Sequence, residues 1–347
     1  MSAFDLSLVS CGDIQLGLNR AFAASGPLNE EFLPVTNFLL SEVNTENVLQ
    51  RTISPGNGKN FVAKTIYTPR ITEDDVSTAI ARACASTKKA GNTYSICEVD
   101  LEVGAELEAE VIEIADLAAI CEGTASYTQS RLAAMFSAMR RKIETELTDQ
   151  LAAGPGNFPS DDNEGVAAGV KVVQTLTSTG GTDLSAIEEL GYTKDNMGLP
   201  RLFTFGSNLI TKYFKRLDAG CCVDGYGVDL REFYGNQGIV HAHSYRIASA
   251  FANANDFLAL IPGAAHMVYV NLYAGENSRD TGSFKRIVLN DPLTGLPIDF
   301  KFTDTCDGIV VTPSLAFKVC VAPPDMFALN DRMSGVNGLF HFRVTNP

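Results

Sequence analysis

Between residues 126 and 153 the apolar positions Leu132, Phe136, Met139, Ile143, Leu147 and Leu151 recur every three or four residues. That spacing places side chains on one face of an α-helix, and nothing else in the chain constrains the fold as tightly. Arg131, Arg140, Arg141, Glu144, Asp149 and Gln150 fall mostly away from the stripe. Ser126 and Gln129 fit a capping box at the start, and Gly154 with Pro155 stops the helix. At the α-helical rise the span is about 42 Å long, where an average helix has roughly 11–12 residues. A rod with one narrow apolar stripe needs an extended surface to lie on, and a sheet supplies it.

The flanking sequence predicts the rest of an α+β chain. Residues 1–47 read as an arm: Phe22, Leu28, Phe32, Leu33, Phe38, Leu39 and Leu40 keep no period, and Gly26-Pro27 and Pro34 break the segment. Residues 48–54 and 60–68 are strand-like on either side of Pro55-Gly56-Asn57-Gly58-Lys59, which predicts a hairpin. A two-stranded hairpin is marginal alone, so it must rest on a sheet or on another subunit. A short helix is predicted over 78–89, and a strand over 93–103 with a bulge at Cys97-Glu98. After a Gly/Asp/Ser-rich linker at 154–181, which holds a strand at 170–176, the pattern alternates between helix and strand. Helices are predicted at 183–190 and 207–217, with strands at 201–205, 239–245, 257–261 and 267–273. This is the signature of an α/β lobe. Residues 286–347 are almost all strand and turn.

Charge and cysteine content exclude some functions. Forty-one acidic residues against 27 basic ones give a formal charge of −14, which repels a phosphate backbone over most of the surface. A sequence-reading nucleic-acid protein is not expected; enclosing DNA without adhering to it is compatible with this balance. No apolar stretch is long enough to span a bilayer, and no secretory signal is evident at the N-terminus, so no membrane partner is expected. The eight cysteines form no C-x-x-C pair and read as small buried hydrophobes.

Candidate chemistry is sparse. Gly58-Lys59 fails the phosphate-loop pattern, because Ile53 replaces the first glycine and Asn60 the Ser/Thr. His241 and His243 share a strand face, but no third ligand sits at metal-site spacing. His266 and His341 read as core residues. In 161–165 the glycine comes one position early for an EF-hand, leaving a solvated acidic loop. There is no nucleophile elbow. The expectation is therefore no catalytic residue, no cofactor and no bound metal. Arg140 with Glu144, and Lys142 with Glu146, are spaced for intrahelical ion pairs.

The segment SYTQSRLAAMFSAMRRKIETELTDQLAAGPG at residues 126–156 resembles the spine helix of the tailed-bacteriophage major capsid proteins with the Hong Kong 97-like fold. Asp149, Leu151, Gly154 and Gly156 stand in for that family's acidic, apolar and G-x-G positions, and Gln150-Leu151 replaces its usual apolar pair. The order of elements is similar as well. The resemblance implies an N-terminal arm at 1–47, an E-loop hairpin at 48–75 and a P domain at 76–182 with its spine at 126–153. An A domain at 183–285 and a β-rich return to the P domain at 286–347 would complete the chain. It implies a structural subunit, not an enzyme, that assembles as hexamers and pentamers into an icosahedral virion shell around double-stranded DNA. Assembly would occur in the host cytoplasm with scaffolding, portal and decoration proteins as candidate partners. Lys59, Phe61, Lys64, Tyr67, Arg131, Arg140 and Arg141 would form the contacts between copies. The covalent Lys–Asn links of one family member would fall on Lys59 or Lys64 and Asn330 or Asn337, although a lysine at a hairpin tip reads first as a solubilising charge. An encapsulin-like compartment and a soluble α/β enzyme are the alternatives.

Overall fold

The computed structural model describes residues 32–41, 48–53, 62–67, 95–99, 104–106, 110–113, 124–159, 165–166, 169–219, 235–251, 253–270, 278–280, 284–305, 308–324, 327 and 335–346. The expected helix at 78–89, the acidic loop at 161–164, Lys59, Phe61 and Asn330 lie outside them.

Among the described residues the first element is α1 (Pro34–Ser41), followed by β1 (Val48–Ile53), β2 (Val62–Tyr67), β3 (Ser95–Val99), β4 (Gly104–Glu106) and β5 (Glu110–Glu113). The expected hairpin is present: β1 and β2 pair antiparallel from Val48↔Tyr67 to Ile53↔Val62. β3 adds to β2 as a third strand. β3 falls within the strand expected at 93–103, while β4 begins just beyond it and enters a different sheet. The small sheet does not stand clear of the body, since β2 and β3 run close to strands of the larger sheet described below.

The long helix, α2 (Thr124–Ala152), has 29 residues. All six stripe residues are buried, each contributing about 1.5–3 kcal/mol of burial free energy. The surface beneath them is a seven-stranded sheet built from β12 (Ala265–Val270), β13 (Ser278–Asp280), β14 (Phe284–Asn290), β15 (Pro297–Asp304) and β16 (Gly308–Val321), with β4 and β5 also paired to β16. β16 has 14 residues, or roughly 46 Å of strand, and α2 is roughly 43 Å long. Helix and strand are matched in length. Phe136 packs on Phe300 at 4.9 Å, and toward the other end Val319 N donates to Gln150 Oε1 at 2.7 Å. Cys320 on β16 is disulfide-bonded, which corrects the reading of the cysteines as simple buried hydrophobes.

The second sheet is mixed. β8 (Val170–Val173), β9 (Leu202–Gly206), β10 (Ile239–His243), β11 (Asp256–Leu260) and β17 (Leu339–Val344) lie in the order β10-β9-β11-β17-β8. One face, carrying His241 and Phe342, is covered by α3 (Ser185–Asn196), α4 (Asn208–Asp218) and Phe158 of the two-residue strand β6 (Phe158–Pro159). β6 pairs with β7 (Gly165–Val166). The opposite face presents Phe203 and Phe205 to Phe38 of α1. A short helix, α5 (Ile247–Ala250), packs against α2.

Two strands change lobe relative to expectation. β17, expected to return to the sheet under the spine, joins the α/β lobe between β11 and β8. β12, expected in the α/β lobe, pairs with β16. Alternation in a strand specifies which face is apolar but not which sheet edge receives it.

The expected stop at Gly154-Pro155 has a packing cause. Gly156 N donates to Leu339 O at 2.9 Å and Asn157 N to Gly335 O at 2.9 Å. A Cβ on Gly156 would lie 2.5 Å from Asn337 Oδ1 and 2.8 Å from the backbone oxygen of Gly335. Asn337 Nδ2 in turn donates to Gly154 O at 2.9 Å. Asn337 therefore seals the end of the spine and is not presented for linkage to another copy. At Gly154 a Cβ would meet only the side chains of Val321, at 2.9 Å, and Leu339. Gly156→Ala is expected to cost about 2–3 kcal/mol, and Gly154→Ala about 1 kcal/mol because its neighbours can shift. Denaturant midpoints with unchanged m-values measure both.

Candidate functional site

Besides its apolar stripe, α2 buries a polar one: Ser137, Arg140, Glu144 and Thr148 are all inaccessible. Thr148 Oγ1 is satisfied along the helix by Glu144 O at 2.7 Å. The two charges are not. Arg140 reaches Asp291, with Nε 2.9 Å from Oδ1 and Nη2 2.8 Å from the same oxygen. Asp291 opens the β14–β15 turn, where its Oδ2 accepts from Thr294 N at 3.0 Å and Thr294 Oγ1 at 2.5 Å. Gly295 completes the turn at φ +73°, where glycine carries no steric penalty. The turn is thus fastened to the spine by a buried ion pair. The expected Arg140–Glu144 pair is absent because each residue has a fixed partner elsewhere, while the expected Lys142–Glu146 pair forms at 2.7 Å on the half-exposed side.

Glu144 takes α1. Its Oε1 accepts from Val35 N at 3.1 Å, and its Oε2 from Thr36 N at 2.8 Å and Thr36 Oγ1 at 2.6 Å. Part of the arm, read from sequence as irregular, is therefore a helix with Pro34 at its first position. Proline is favoured there, since its missing N–H has no helical partner in any case. That proline was the one available signal.

The α/β lobe meets the spine through Arg246, which donates from Nη1 to Arg141 O and Thr145 Oγ1 and from Nε to Tyr245 Oη at 3.0 Å. Within the lobe, Asp256 accepts from Arg343 Nε at 2.6 Å and Nη2 at 2.9 Å, and lies 2.9 Å from His341 Nε2. Burial pushes the Asp256 carboxyl up, but the hydrogen bonds from Arg343 and His341 and their charges outweigh it and hold the group below its ordinary range. Phe251 stacks on His341 at 3.9 Å. The cluster clamps β11 to β17.

His241 and His243 do share a face. Thr211 Oγ1 sits between them, 2.9 Å from His241 Nε2 and 3.0 Å from His243 Nδ1, and Thr204 Oγ1 lies 2.9 Å from His241 Nδ1. Burial, with His243 nearby, lowers His241 to about 3, so both of its ring nitrogens serve hydrogen bonds as a neutral imidazole. Burial likewise lowers His266 to about 4. Among the described residues no group of three or more His, Cys, Asp or Glu side chains is placed to hold a metal ion. No described helix is long and apolar enough to cross a membrane.

Of the residues expected to contact other copies, Arg141 is exposed and Arg131 half-buried on α2. Lys64 and Tyr67 are on β2, in register with Arg51 and Val48. Arg140 is the correction: it is interior and cannot reach a second copy.

No family model matches the chain, and no curated protein matches it in sequence. Three solved structures show a weak likeness. The capsid of an empty GTA particle is 12% identical, with a TM-score of 0.38, over 87% of this chain and 98% of that one. A phage-related protein of Bordetella bronchiseptica RB50 is 8% identical, with a TM-score of 0.37, over 96% of each chain. A chain of Mycobacterium phage Ogopogo is 11% identical, with a TM-score of 0.33, over 84% of this chain and 89% of that one. Scores this low define no shared fold, and no functional conclusion rests on them.

Among the described residues, one buried carboxylate has no hydrogen-bond donor on either oxygen. This group, Asp299 of β15, is 4% exposed, and Arg286 Nη1 stands off at 3.5 Å. Burial raises its pKa to about 6, with Arg286 and Lys301 opposing. The folded state therefore holds this proton more tightly than the unfolded chain does. Stability contributed here is lost as pH rises from about 4 to about 6, and the full penalty applies above that window. Asp299→Asn is expected to stabilise the protein at pH 7.5 by roughly 3 kcal/mol and to flatten this part of the stability–pH curve, read by thermal melts from pH 4 to 8. Arg140→Met is expected to cost about 3–5 kcal/mol by stranding Asp291. Adding Asp291→Asn recovers part of that loss, and a double-mutant cycle in denaturant measures it.

Proposed function

We propose that the chain is a structural capsid subunit that works by assembly with copies of itself. On this reading it is a non-enzymatic major capsid protein of the Hong Kong 97-like type, closing as hexamers and pentamers into an icosahedral shell around double-stranded DNA. One observation carries the reading: the order of elements. A strand hairpin is followed by a 29-residue helix laid along a 14-residue strand, and then by a mixed α/β lobe. The long helix and strand make a stiff plate, which suits a load-bearing shell and has no evident use in a small-molecule enzyme. The net charge of −14 supports enclosing DNA without adhering to it. Scaffolding, portal and decoration proteins remain candidate partners, and the virion is the proposed location.

In this reading the hairpin supplies contact between copies, through Lys59, Phe61, Lys64 and Tyr67, while Arg131 and Arg141 face neighbours along the spine. Shell interfaces of this kind bury more than about 2,000 Å². Negative-stain images of the expressed protein test the proposal, with closed particles as the expected outcome. Particles free of DNA and carrying a cargo enzyme would favour an encapsulin-like compartment. A small oligomer on size exclusion, with no particles under any assembly condition, would favour a soluble enzyme. Deleting residues 50–68 is expected to leave a folded protein that forms no shells; abundant normal particles from that deletion would contradict the role of the hairpin.

A further inference from the structure

α1 lacks the usual means of closing its own N-terminus. The residue before it that accepts the first helical bond is Leu33, whose carbonyl takes Asn37 N at 3.0 Å but whose side chain has no acceptor. The acceptor comes instead from the middle of the spine, where the Glu144 carboxylate receives Val35 N, Thr36 N and Thr36 Oγ1. A carboxylate at the positive end of a helix is stabilised by the helix dipole as well as by the hydrogen bonds. Among the described residues, the hydrogen bonds from α1 to the rest of the chain are confined to Glu144. Every other attachment is apolar: Val35 and Leu39 are fully buried, and Phe38 lies 4.7 Å from Phe203 and 5.3 Å from Phe205. The helix is wedged among α2, β12 of the seven-stranded sheet and the Phe203–Phe205 face of the five-stranded sheet.

We propose that α1 is a strap that docks and undocks as one unit, with Glu144 as its lock and Phe203 and Phe205 as its seat. It has no strand pairing to the body, so it can leave without unravelling a ladder. The spine, by contrast, remains tied to the lobe through Arg246. Undocking strands a buried carboxylate and uncovers aromatic rings at once, so the closed and open arrangements are discrete states and not ends of a continuous drift. Such an opening lies below global unfolding in free energy. It loosens the seam between lobe and spine while both sheets stay intact, and it does not depend on the shell reading.

Hydrogen–deuterium exchange on the full chain tests this. Glu144→Gln keeps the shape and one acceptor oxygen but removes the charge. The amides of residues 35–40 are expected to exchange at least ~10-fold faster in that variant, while those of residues 136–147 in α2 and of β11 change by less than about twofold. Thr36→Val, which retains the carboxylate and both amide bonds, is expected to accelerate the same segment alone by about 3–10-fold and serves if the Gln variant does not fold. Equal acceleration of α1, α2 and β11 would make α1 an ordinary part of the core and overturn the proposal. Unchanged exchange of residues 35–40 in both variants would remove Glu144 as the lock and overturn it equally.

Discussion

Two opposite charges one turn apart on a buried helix face organise this molecule. Arg140 and Glu144 are spaced to neutralise each other, yet each is spent on a different part of the chain. Arg140 holds the β14–β15 turn of the seven-stranded sheet through Asp291, and Glu144 holds α1. An exposed i,i+4 pair contributes only a few tenths of a kcal/mol. A buried charge without a partner costs several, so in the interior geometry prevails over proximity in sequence. The apolar stripe attaches the helix to its sheet; the polar stripe decides what else gathers around it.

The parts legible in the sequence were those with a long, unbroken period. The spine was readable from six apolar positions, and its boundaries were nearly right because Gly154 and Gly156 end it for a steric reason that also marks the sequence. The β1–β2 hairpin was readable from its turn chemistry, and Ser207 correctly marked the start of α4. Its hydroxyl nevertheless bonds Ala254 O and not the helix it precedes. At α3 the signal was Asp183, whose Oδ1 accepts from Ser185 N at 2.8 Å.

What stayed hidden depended on tertiary partners. α1 carries no capping residue of its own, so its helical character is fixed by a carboxylate more than a hundred residues away. Gln150 looked like a departure from an apolar pair, yet its Oε1 satisfies the backbone N–H of Val319, a donor the sequence could not reveal. The destinations of β12 and β17 were hidden for a related reason. Their apolar alternation is equally compatible with either sheet, and only the packing of whole lobes selects between them. Asp299 was likewise unremarkable as one more acidic residue until both its oxygens proved enclosed by strands.

The position of β17 has a bearing on how the molecule is made. It pairs with β11 on one side and in parallel with β8 on the other, and the residues it joins, such as Val170 and His341, are separated by most of the second half of the chain. Until β17 has been synthesised, β11 lacks its partner on one side and β8 lacks the strand that joins it to the sheet. Contacts this distant in sequence close slowly, and unpaired edges invite the wrong strand. The interval before β17 inserts is therefore when the newborn chain is most exposed to misassociation, and when a chaperone would be of most use to it.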